Sequence, residues 1–232
     1  MLTNIFYRSL FAGVLAFSLT SCATLPLKAP LEDRYVNLVN EDQLNQSRTH
    51  IENAKSKVLA VVFSKNTVNS LTYNATLRER FSTVIGSMSL NPDEIAEDRE
   101  IVLSEQGLMG ALFLPLKTVF KEVRIVKSIP EGFEGGADYV GVMDLDLNFI
   151  NLDSKFTPSS IIHNDHTANC SIIFIDPNLV AGPDVIANVK HRQETTPKFA
   201  GANNRDFMYA VKIARTKLVK SFAAQVKTAV SP

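Results

Sequence analysis

His163, Asp165 and His166 place two imidazoles and a carboxylate within four residues. Such side chains ligate a divalent metal, and a metal-bound water would support a hydrolase. His163 and His166 are three apart in an expected loop between strands, whereas zinc sites converge three or four ligands. His191 falls in a later strand and meets them only if the register brings it there. A solvated loop is the simpler reading. Asp144 and Asp146 alternate on one face of an expected strand. Paired carboxylates do acid–base work when burial drives their pKa values apart. Asn148 continues that face, so a wet surface explains the pair with less. Gly-x-Ser-x-Gly, phosphate-loop, His-Glu-x-x-His and Gly-x-Gly-x-x-Gly patterns are all missing. The residues therefore predict no catalytic site, no metal and no cofactor.

Two cysteines remain, at positions 22 and 170. Cys170 lies in the apolar-rich run from Ala168 to Ile175, the setting of a buried, inert thiol. Cys22 has a different context. Arg8 precedes an apolar segment from Leu10 to Leu19, and Leu19-Thr20-Ser21 lead into the thiol. A positive charge, an apolar stretch and small residues read as a secretory signal. The stretch falls short of the roughly 20 apolar residues that cross a bilayer.

This arrangement resembles the bacterial lipobox. The resemblance implies that Leu19, Thr20 and Ser21 form the cleavage motif. It also implies that Cys22 is lipidated and becomes the first residue of the mature chain. Ala23, rather than Asp, follows it, which resembles the enteric pattern for delivery to the outer membrane. The chain then divides into a signal at 1–21, a lipidated Cys with its tether at 22–34, and one periplasmic domain at 35–232. The tether carries Pro26 and Pro30 and has no helical period.

Lys plus Arg and Asp plus Glu number 24 each. This balance gives no electrostatic argument for DNA, RNA or an anionic membrane surface, so lipid rather than charge would hold the protein at a membrane. A hydrophobic fraction of 45% fits a globular domain rather than a disordered chain.

Val58 to Phe63 is a continuous apolar run and predicts a buried strand. Leu71, Leu77, Phe81 and Val84 recur at helical spacing and predict a helix over 70–89. A second stripe through Leu108, Leu112 and Leu116 predicts a helix over 107–121, kinked or started by Pro115. A strand over 123–127 follows, and Gly132, Gly135 and Gly136 mark a loop. Strands are expected over 138–151, 167–176 and 185–194, with a turn at Asp176-Pro177-Asn178. Phe207, Val211, Ala214, Leu218, Phe222 and Val226 form the buried stripe of a helix over 206–228. Lys212, Arg215, Lys217 and Lys220 are expected outside that stripe.

These elements predict an α+β two-layer sandwich: a mostly antiparallel sheet with helices packed on one face. Their order, with Val58–Phe63, Leu112–Val126 and the strand opened by Ala137-Asp138-Tyr139-Val140, resembles small Gram-negative envelope lipoproteins. Two groups share it: auxiliary lipoproteins of ABC-type lipid transport, and lipoproteins resembling the amino-terminal domain of TolB. The expected function is a non-catalytic lipoprotein, anchored in the outer membrane, that binds a protein or lipid partner in an envelope complex. The alternatives are a metal-dependent periplasmic hydrolase using His163, Asp165 and His166, and a small-lipid carrier with an apolar cavity between helices and sheet.

Overall fold

The structure is a computed structural model that describes residues 28–32, 50–80, 102–149, 152–153, 162–195 and 202–230. Six strands form one sheet in the order β2-β1-β3-β5, with β4 and β6 also paired to β5. They are β1 Val58–Phe63, β2 Glu122–Ile125, β3 Tyr139–Asn148, β4 Leu152–Asp153, β5 Ile162–Ile175 and β6 Ala181–Thr195. The helices are α1 Lys65–Arg80, α2 Glu105–Val119, α3 Ile129–Glu134 and α4 Ala202–Ala229. The fold is α+β.

β1 sits between β2 and β3 and runs parallel to both. Its continuous apolar run is explained by burial on two faces. Leu59 and Val61 face a large core shared with α1, α2 and α4. Ala60 and Val62 face a smaller core with Val140, Val142 and Ile129. The antiparallel part is β3-β5-β6, whose long strands pair over most of their length. Asp176 closes the β5–β6 turn, its Oδ1 accepting from Asn178 N at 2.9 Å and Val180 N at 3.0 Å.

The expected loop at 132–136 begins inside α3, so helices are not confined to one face. Ser128 caps α3 by accepting from Glu131 N at 3.3 Å, and Glu131 accepts from Lys127 N at 2.9 Å. That Ser-x-x-Glu spacing is a helix-start signal that the nearby glycines obscure. Gly132 is required by close packing, since a Cβ there would lie 2.7 Å from Val140 Cγ2 and 3.1 Å from Ala60 Cβ.

The first expected helix begins earlier, at Lys65, because Ser64 caps it and accepts from Thr67 N at 3.1 Å. Its inner face starts with Asn66, Thr67 and Ser70, all buried and polar, so no apolar stripe marks the first turns. The expected continuation over 81–89 lies outside the described residues. Pro115 sits inside α2 rather than at its start, while Ser104 caps that helix by accepting from Gly107 N at 3.0 Å.

The expected stripe of α4, from Phe207 to Val226, is buried throughout. One residue departs from expectation. Arg215 is only 8% exposed and lies inside the packed surface. Burial lowers its guanidinium pKa to about 10, with Glu105 pulling the other way.

Candidate anchoring face and ligand sites

Where Asp144–Asn148 of β3 pairs with Thr167–Ser171 of β5, one face is apolar and the other polar; Val140, Val142, Ile173 and Ile175 continue the second face into the smaller core. Asp144 and Asp146 stand opposite Ser171 and Asn169. This polar face is not left bare. Residues 28–32, the far end of the expected tether, lie against it. Lys28 is ion-paired with Asp146, and Asn169 Nδ2 donates to the other Asp146 oxygen at 3.2 Å. Burial lowers the Lys28 pKa, and Asp144 pulls it back up.

Four residues on, Glu32 repeats the attachment. Its backbone N donates to Asn66 Oδ1 at 2.8 Å, and its carbonyl accepts from Asn66 Nδ2 at 2.6 Å. The Asn66 amide thus serves Glu32 as a neighbouring strand would. Glu32 also pairs with Lys65 at 2.8 Å, a surface contact of small energy.

Asp144 is held from the same helix start. Its Oδ1 accepts from Ser64 Oγ at 2.5 Å and Asn66 Nδ2 at 3.0 Å. Beyond Phe63, where β1 ends, α1 side chains complete the edge of β3. Thr67 Oγ1 donates to Met143 O at 2.8 Å and accepts from Leu145 N at 2.8 Å. Ser70 Oγ accepts from Leu147 N at 3.1 Å. Asp144 and Asp146 therefore share a polar face, as expected, and structural donors occupy both carboxylates.

The His/Asp cluster lies in β5, not in a loop. Asp165 and His166 are consecutive strand residues and so point to opposite faces. Asp165 pairs with Lys190 at 2.7 Å and Arg192 at 2.9 Å, and the hydrogen bonds from Arg192 and then Lys190 hold its carboxyl well below the usual range. His166 is fully buried, with Nε2 2.8 Å from Gln193 Oε1 and its ring 5.3 Å from that of Phe207. The register does set His191 opposite His166, at 6.4 Å between ring centroids. Among the described residues no group of three His, Cys, Asp or Glu is placed to hold a metal.

Cys170 is buried, and burial pushes its thiol up, with Asp144 adding to the shift. Cys22, Leu19, Thr20 and Ser21 lie outside the described residues. No helix among the described residues is long and apolar enough to cross a membrane. Sequence reasoning missed Lys28, Glu32 and Asn66, because nothing local shows that a proline-containing segment returns to a distant strand.

No protein-family model matches the chain, and no characterised protein matches it in sequence. Solved structures give distant likenesses. A homolog of neuraminyllactose-binding hemagglutinin from Helicobacter pylori is 10% identical, covers 84% of this chain and 90% of its own, and has a TM-score of 0.35. A PelC dodecamer from Paraburkholderia phytofirmans is 10% identical, with 71% and 89% covered and a TM-score of 0.28. A protein from Xanthomonas campestris is 13% identical, with 79% and 97% covered and a TM-score of 0.29. Likenesses this distant assign no family and carry no functional argument.

Proposed function

We propose that this chain is a lipid-anchored, non-catalytic binding protein of the bacterial envelope. Residues 1–21 direct export, cleavage follows Ser21, and Cys22 carries the lipid. The domain faces the periplasm from the outer membrane and serves an envelope assembly or transport complex through a protein or lipid partner. The observation that carries the reading is the attachment of Lys28 to Asp146. Lys28 lies six positions after Cys22, a reach of roughly 20 Å at ~3.3 Å per residue. A lipid on Cys22 would thus hold the polar sheet face close to the bilayer. Structural partners hold the carboxylates of Asp144 and Asp146, which removes that pair as a candidate for acid–base work.

Intact-mass measurement of the protein extracted from membranes tests the reading. It predicts a chain beginning at Cys22 with a mass excess equal to its acyl groups. A mature chain beginning elsewhere, or an unmodified Cys22, would overturn it.

A further inference from the structure

A groove of about 450 Å³ runs between α2 and α4, within the ~300–1,000 Å³ typical of small-molecule sites. Leu108 and Ala111 line it from α2, and Val219 from α4. On the α4 side Lys212, Arg215 and Lys220 also line it, and no carboxylate does among the described residues. Arg215 is the unusual member. Its Nη2 donates to Ser104 O at 2.7 Å, but its buried Nη1 reaches no acceptor among the described residues. Glu105 acts on it through its field; Glu105 Oε2 is paired with Arg78 Nη1 at 3.1 Å, and Glu105 Oε1 has no hydrogen-bond partner among the described residues. A buried cation with an unused donor is costly, and an anion would relieve that cost. An apolar channel bordered by one buried and two exposed cations matches an alkyl chain with an anionic head.

We propose that this groove binds one long-chain fatty acid. Its alkyl chain lies along Leu108, Ala111 and Val219, and its carboxylate sits at Arg215 between Lys212 and Lys220. The proposal rests on the binding-protein reading above and names its ligand class, but Cys22 plays no part in it. The volume suits a single chain, and a lining with three cations and no carboxylate calls for a charged head rather than a neutral one.

The test uses the full chain in membrane vesicles labelled with diazirine-tagged palmitate, irradiated, digested and mapped by mass spectrometry. Adducts are expected on the peptides holding Gly107–Ala111 and Thr216–Lys220. Excess palmitate competes for them and methyl palmitate does not. Ala111→Trp, which fills the channel, and the double change Lys212→Glu with Lys220→Glu, which alters only exposed positions, should each cut the yield roughly tenfold. Adducts confined to other peptides, or yields unchanged by both variants, would overturn the proposal. Equal competition by methyl palmitate would overturn the charged-head assignment. The same labelling of the Cys22→Ser chain separates this claim from the anchoring one.

Discussion

Lys28 and Asp146 are ion-paired although they lie 118 positions apart in sequence, with the side chains 18% and 13% exposed. The pair ties the segment descending from Cys22 to the middle of the sheet. Both charges are largely removed from water, so neither is comfortable alone.

Asp146→Ala should therefore free the segment. The expected cost is about 1–3 kcal/mol, since a partly buried charge loses its partner and Asn169 loses an acceptor. Trypsin cleavage after Lys28 should accelerate while the rest of the domain stays resistant. Unchanged cleavage kinetics would show that the pair does not hold the segment in solution.

Thr67→Val should destabilise the domain by about 2–5 kcal/mol, because the buried Leu145 N–H loses its acceptor and Met143 O loses a donor. Thr67→Ser keeps the hydroxyl and should recover most of the loss. Denaturant midpoints of the two variants decide it. If valine is as well tolerated as serine, the hydroxyl bridge contributes little.

How much of this was legible in the sequence follows from what kind of signal each part leaves. The run at Val58–Phe63 and the stripe from Phe207 to Val226 announce themselves, because burial of whole faces imposes a period on residue type. The start of α1 hides, because Thr67 and Ser70 bury hydroxyls against the edge of β3 where a periodic helix would bury leucine. Arg215 hides for the opposite reason: a charged residue within a cationic helix reads as exposed until packing places it. The His163–His166 cluster looked like a loop because its polar residues suit one. In the strand, Asp165 takes the outer face with Lys190 and Arg192, and His166 takes the core. The Lys28–Asp146 pair has no local signature, since only the folded chain brings the segment back to β3.

His166 should make the domain acid-sensitive. Burial lowers its pKa below the ordinary value, the Gln193 hydrogen bond opposes this, His191 lowers it further, and Asp165 raises it. The unfolded chain therefore binds the proton first. Stability is fully present above about pH 6.5 and falls as pH drops below that value towards the lower folded pKa. His166→Gln removes this titration and should flatten stability below pH 6.5. Parallel wild-type and variant curves would exclude His166 as the cause.

The central claim is that the lipid on Cys22 is what holds this domain at the membrane. Fractionation of cells expressing the Cys22→Ser chain tests it most directly. The account predicts that the wild-type chain sediments with membranes and the variant is found folded in the soluble fraction. A Cys22→Ser chain that stays with the membranes, and resists extraction as the wild type does, would contradict it.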